Sequence, residues 1–449
     1  MVLDAILNKE TERTPWVPFV GSHAAKLLDI SPEEYFKSAD RVVEGVKAAY
    51  REYECDGLPV LFDLQVEAEA LGCAIQYSQD NPPAVTSHPL SEGKTLEDLH
   101  IPADDEGRYP MFMDATRRLT EELGDEIALY GLITGPFTLA LHLMGANLFY
   151  AMIDKADEVH KVMEFCRDVC IKTAKNYIDA GVAVVAVVDP MTSQISPNDF
   201  ATFVTEPVRA VFDAVRSEGV LSSFFVCGNA KRNIENMCKC GPDNISIDEN
   251  IPLDYVVETA RPFGISVGGN MQLTAVMLLG SPVDNIQHAA NCVAIGGTKG
   301  FILSPGCDMP YATPEINVKA ITAYVHGKES EYLTMTQPSG ERAEWAMPDY
   351  KQADKVIVDV VTYDSSACAP CQYMMEAVKE AAEGLDHVLS FEEHKIKMPE
   401  SLSCMTQLGV EQIPTIVIDG VVKYISIIPD NDTLRKDFTD AIEAKGLTV

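Results

Sequence analysis

Two cysteines stand beside glycines in this 449-residue chain, in Cys227-Gly228-Asn229 and Pro305-Gly306-Cys307. Glycine lets the backbone come close to a ligand, and two thiolates with one carboxylate would suit Zn²⁺, which takes sulfur, nitrogen and oxygen donors in tetrahedral geometry. Glu249, between them in sequence, is the natural oxygen donor. The same cysteines could be buried, inert thiols, and spacing leaves both readings open. A second pair, Cys368-Ala369-Pro370-Cys371, opens a helical pattern from Gln372 to Ala382. At a helix N-terminus the dipole and free amides favour the thiolate of Cys368, and Cys371 is placed to resolve a mixed disulfide. No second CxxC or CxxH is within reach to complete a four-ligand metal site.

The elements that must position these groups form an alternating series. Short β-branched runs occur at Trp16–Val20, Gly57–Asp63, Ile127–Gly135, Val182–Pro190, Val220–Asn229, Asn244–Glu249, Ser266–Asn270 and Gly300–Cys307. Stretches of helical character separate them, and a longer insertion lies between the second and third. Such a series predicts an α/β protein with a closed parallel (β/α)8 barrel, whose active site lies at the C-terminal strand ends. An open doubly wound sheet is disfavoured, because no Gly-rich dinucleotide loop follows the first run. The residues closing the runs are therefore the candidates: His23, Asp63 with Glu67, Asp189, Cys227 with Asn229, Asp248 with Glu249, Asn270 with Gln272, and Cys307 with Asp308. Asp63, Asp189 and Asn229 are assigned catalytic roles, and His23, Asn270 and Gln272 substrate contacts. Each taken singly could instead be a loop residue or a helix cap.

After Thr336 the alternation stops. Residues 1–336 form the expected barrel, 337–352 a polar, proline-marked linker, and 353–449 a smaller α/β domain opening with the strand Lys355–Tyr363. In that domain Gln412-Ile413-Pro414-Thr415 precedes a short apolar strand, a placement that resembles the cis-proline loop of thioredoxins. Acidic residues number 68 against 35 basic, a formal net charge of -33, which repels nucleic acid and anionic membranes. The most apolar short run, Val182 to Val188, is far below membrane-spanning length. Twelve cysteines without a secretion signal point to a reducing compartment, and hence to the cytoplasm.

Five motifs carry a family resemblance: Asp56–Cys73 (DGLPVLFDLQVEAEALGC), Gly135–Gly145 (GPFTLALHLMG), Val226–Asn229 (VCGN), Ile245–Glu249 (ISIDE) and Phe301–Pro310 (FILSPGCDMP). In this order they resemble the corrinoid-dependent methyltransferases of the uroporphyrinogen-decarboxylase superfamily, most closely the methylcobalamin:coenzyme M type. The resemblance implies a barrel that moves a methyl group between a cobalamin, carried on a partner corrinoid protein, and a small acceptor, either a thiol such as coenzyme M or tetrahydrofolate. It implies zinc on Cys227, Cys307 and Glu249, but the family's histidine is replaced by Phe225, which puts the metal in question. Uroporphyrinogen decarboxylation is the alternative; the loop Gly21–Lys26 lacks the arginines that would bind so many carboxylates. A non-catalytic corrinoid-binding or redox-sensing protein is the third reading.

Overall fold

A computed structural model of the chain describes residues 1–337, 343–366, 368–410 and 412–448. The chain divides into two compact units, Met1–Ser339 and Gly340–Val449. Of the expected linker, residues 338–342 lie outside the described ones. Trp345 and Tyr350 belong to the second unit: the Trp345 ring sits 5.5 Å from that of His394, and the Tyr350 hydroxyl donates to Asp359.

The first unit is built on seven parallel strands in sequence order: β1 Gly57–Leu61, β2 Ala128–Thr134, β3 Val184–Val188, β4 Leu221–Val226, β5 Asn244–Ile247, β6 Ser266–Met271 and β7 Phe301–Pro305. The eighth expected run, Trp16–Val20, closes the ring as an extended segment rather than a regular strand. Leu303 N donates to Pro15 O and Val17 N to Leu303 O on one side, and Asp56 N donates to Trp16 O on the other. Pro18 has no amide proton to extend this ladder, so pairing stops there. The barrel interior follows the two-residue period of strands. Ala128, Tyr130 and Leu132 of β2 and Val184, Ala186 and Val188 of β3 pack with Val17, Phe19, Phe62, Phe225 and Ile302 in one buried cluster. On the other side Ser223 donates to Asn244, and Asn244 to Ser266, so the polar interior positions satisfy one another.

The second unit is a four-stranded sheet. Central Val356–Thr362 pairs in parallel with Leu389–Lys395 and antiparallel with Thr415–Ile418, which pairs antiparallel with Val421–Ile425. Helices Ala369–Ala381 and Asn431–Ala444 supply Met374, Val378, Leu434 and Phe438 to its core. The Ile413–Pro414 peptide is cis. This is the expected thioredoxin-like arrangement.

Candidate active site at the barrel mouth

Cys227 follows β4 and Cys307 follows β7, and both side chains are half-buried at the C-terminal strand ends. The structure joins them to each other in a disulfide, with Cα atoms 5.8 Å apart. Two loops are braced to make this possible. The Asp248 carboxylate accepts from Gly228 N at 2.7 Å, holding the loop that carries Cys227. Gly306 packs so closely on Glu249 that a Cβ there would meet its amide nitrogen at 2.6 Å. Asp308 accepts from Gly21 N and Ser22 N at the start of helix Gly21–Lys26, tying the Cys307 loop to the segment that closes the ring. Beneath the disulfide lies an aromatic floor: Phe225 is 4.9 Å from Phe19 and 6.0 Å from Phe62.

These contacts correct the expected metal set. Both sulfurs are bonded to each other, Phe225 lends its ring to the floor, and one Glu249 oxygen accepts from Leu273 N at 2.7 Å. Burial, reinforced by the adjacent Asp248 carboxylate, pushes Glu249 well above the ordinary carboxylate range. Among the described residues no three His, Cys, Asp or Glu side chains converge as a metal cluster. The residues as arranged do not fit zinc.

Several expected ligand contacts prove to be internal braces. Asp189 is fully buried and accepts from Phe137 N, Thr138 N and the Thr138 hydroxyl, capping helix Pro136–Met144 as a carboxylate should at a helix N-terminus. Burial outweighs these bonds and raises it to about 6. Gly135 is glycine because a Cβ would lie 2.4 Å from Asp189. Asp63 forms a buried ion pair with Arg108, which also binds Glu69 and the Phe36 carbonyl. His23 is fully buried, with one ring nitrogen on the Tyr311 carbonyl and the other on the Tyr53 hydroxyl; burial lowers it to about 4, so it stays neutral. Asn270 donates to the carbonyls of Asp248 and Ile251. Asn229 accepts from Lys231 N in a local turn, and Gln272 is half-buried just before the π-helical turn Leu273–Leu278.

Two groups escaped the sequence reading. Arg108 lies in the insertion, distant in sequence from the strand ends; its signal is the pair Asp63 and Glu69, both of which it binds. Glu67 is buried against Thr134, whose hydroxyl lies 2.7 Å from Leu64 O and 2.8 Å from Glu67 Oε2. One hydroxyl proton cannot serve both acceptors, so a protonated Glu67 donating to Thr134 satisfies the network. Burial accordingly raises Glu67 to about 7.

A cavity at the opposite, N-terminal face is lined by Arg209, Arg216 and Lys239. Arg209 and Arg216 are engaged by Glu206 and Asp213, and by the carbonyls of Lys239 and Gly241. In β/α barrels that face serves stability rather than chemistry, so the mouth is the stronger candidate.

Residues 1–328 match the uroporphyrinogen decarboxylase (URO-D) family and residues 356–438 a thioredoxin domain. The chain belongs to the URO-D family, with a thioredoxin domain following the barrel. Among its relatives, the methylcobamide:CoM methyltransferase MtaA of Methanosarcina barkeri is 28% identical, over 72% of this chain and 95% of that one. MtbA of Methanosarcina acetivorans, a methylcobamide:CoM methyltransferase, is 25% identical over 70% and 93%. A uroporphyrinogen decarboxylase of Anaeromyxobacter dehalogenans is 25% identical over 68% and 90%. The solved structure of a methyltransferase from Methanosarcina mazei superposes with a TM-score of 0.67, at 24% identity, covering 73% of this chain and 97% of that one; it shows the fold. No single helix among the described residues is long and apolar enough to cross a membrane.

Proposed function

We propose that the chain is a methyltransferase moving a methyl group between a corrinoid, presented by a partner corrinoid protein, and a small acceptor such as a thiol or tetrahydrofolate. The observation that carries this reading is the mouth itself: paired cysteines over the Phe19, Phe62 and Phe225 floor, in a URO-D barrel whose methyltransferase relatives span nearly their whole length. A bound methyl-corrinoid supplies an electrophilic methyl group. The chain's own residues prepare the acceptor. The aromatic floor gives the acceptor an apolar bed, and an occupied mouth from which water is expelled strengthens the electrostatic interactions above it. Glu249, with its raised proton affinity, is the general base: its second oxygen takes the acceptor's proton, because a base works best when its pKa lies near the operating pH. No step requires a metal. The surplus of 33 negative charges, which repels anionic membranes, supports a cytoplasmic enzyme.

The test is spectroscopic. Purified full-length protein is mixed with methylcobalamin and, in turn, coenzyme M, simple thiols and tetrahydrofolate, and demethylation is followed in the visible spectrum. Turnover with one acceptor class, reduced at least tenfold in Glu249→Gln, is expected. Consumption of uroporphyrinogen without corrinoid demethylation would replace this reading with the decarboxylase.

A further inference from the structure

The rim of the mouth between β3 and β4 carries positive charge that none of the braces described above uses. The turn Pro190–Gln194 follows β3, and the turn Lys231–Asn233 follows β4 a few residues beyond Cys227. Three bonds stitch the two turns together. Buried Asn233 donates to the Thr192 and Ile195 carbonyls, both at 3.0 Å, and Arg232 donates to the Ser193 carbonyl at 3.3 Å. Ser193 also packs under the loop that carries Cys227, since a Cβ on Gly228 would lie 2.8 Å from its hydroxyl. The Arg232 guanidinium is therefore held at a fixed place on the rim. Its planar fork of donors is under-used, because Ser193 draws on one N–H alone. Among the described residues no carboxylate forms an ion pair with Arg232, and that of Asp199 attracts it only from further off. The residue as a whole is exposed, yet the protein around its guanidinium removes part of its water and lowers its proton affinity. Lys231, exposed beside it over the Tyr255 ring at 5.3 Å, likewise forms no ion pair among the described residues. In a chain with 33 surplus negative charges, two adjacent cations without an acidic partner stand apart from the rest of the surface. Gln194 adds an independent sign. Its Nε2 donates to Ser193 Oγ at 3.1 Å, while its Oε1 is buried with no hydrogen-bond partner. Buried polar atoms are ordinarily satisfied, so this orphan calls for a partner from outside the chain. A half-turn of the amide lets Oε1 accept from the Ser193 hydroxyl and frees Nε2 as a donor.

We propose that this rim is an oxyanion subsite, in which Arg232, with Gln194 beside it, binds a carboxylate or sulfonate on the methyl acceptor and so decides which acceptors are taken. That the ligand is an acceptor rests on the methyl-transfer reading; that it is an oxyanion rests on the rim alone. The guanidinium grips two oxygens with parallel N–H bonds, the Gln194 amide supplies a further donor, and Lys231 draws the anion in from solvent. The other end of the acceptor is left for the mouth, on whose edge the same loop holds Cys227. A neutral acceptor of equal length leaves the partly dehydrated guanidinium unpaired, so it is rejected as well as unassisted.

Binding tests the subsite without any corrinoid, so its outcome is separate from the methyl-transfer reading. Ligand-observed NMR titrations of the full-length protein measure Kd for propane-1-sulfonate, for butyrate and for the neutral isostere propane-1-sulfonamide. One of the two anions should bind roughly tenfold or more tightly than the sulfonamide, and which one does so distinguishes a sulfonate acceptor from a carboxylate one. Arg232 is exposed, so its substitution leaves the barrel core intact. Arg232→Gln should bring the preference to within about twofold, and Arg232→Lys, which keeps the charge without the fork, should restore only part of it. Equal binding of the anions and the sulfonamide by the wild type, or a preference that survives Arg232→Gln, overturns the proposal.

Discussion

Glu67 offers a sharp test of the buried network because one substitution copies its protonated form. In Glu67→Gln the amide donates to the Thr134 hydroxyl and its carbonyl accepts from Thr134 N, as the neutral acid does. The folded wild type keeps the Glu67 proton up to about 7, whereas the unfolded chain releases it near 4.5. Between those values unfolding releases a proton, so rising pH favours the unfolded chain. The stability this group contributes is complete below about 4.5 and lost as pH climbs through about 7. At about 1.4 kcal/mol per pH decade, the glutamate costs the folded barrel on the order of 3 kcal/mol by pH 8. The glutamine variant escapes that cost. With an unfolding entropy of roughly 2 cal/mol/K per residue, a barrel of this size shifts its Tm by about 4–5 °C for such a change. Calorimetry of both proteins from pH 4 to 8 should show coincident barrel transitions at the acid end and a gap opening in favour of Glu67→Gln. Parallel curves across the whole range would refute the neutral-acid assignment, since every other titrating group is common to both.

Other perturbations separate bracing from chemistry. Arg108→Met strands the buried Asp63 carboxylate and should destabilise the barrel by about 3–5 kcal/mol in denaturant titrations. Asp189→Ala leaves two amides and a hydroxyl at the start of helix Pro136–Met144 without their acceptor, a loss of about 2–4 kcal/mol; Asp189→Asn should recover part of it. The double variant Cys227→Ser/Cys307→Ser opens a loop of 80 residues, which the chain-entropy relation values at about 4–5 kcal/mol; the barrel Tm should fall by roughly 6 °C, and an unchanged Tm would mean the disulfide does not form in solution.

Seven barrel strands were legible because β-branched runs bounded by helical stretches have few other uses. The closing segment was legible as a run and not as a strand, since Pro18 interrupts the ladder without disturbing the apolar pattern. The CxxC pair and the domain around it could be read because spacing, helix start and proline loop all agree. The mouth was harder. Sequence gives the type of a strand-end residue but not its direction, and a carboxylate aimed at a neighbouring helix start, as Asp189 and Asp308 are, has the same letter as one aimed at a ligand. His23 and Asn270 failed for the same reason, each spending its polar atoms on local carbonyls or a hydroxyl. Cys227 and Cys307 do lie side by side, but whether two facing sulfurs bind a metal or each other depends on the third and fourth groups. Phe225 was the warning, and the phenyl floor is its consequence.

The ring closes only where Pro15 and Val17 meet Leu303 and Phe19 meets Met309, which bears on how the polypeptide is made. Residues 1–20 leave the ribosome before the rest of the barrel, yet their partners on one flank arrive nearly three hundred residues later. At about 5–20 residues per second, β1 is complete some 10–50 s before β7 exists. Throughout that interval the growing sheet carries an open edge, the situation in which strands pair with the wrong neighbour. Short strands and the surplus of negative charge work against such pairing while the chain waits to close.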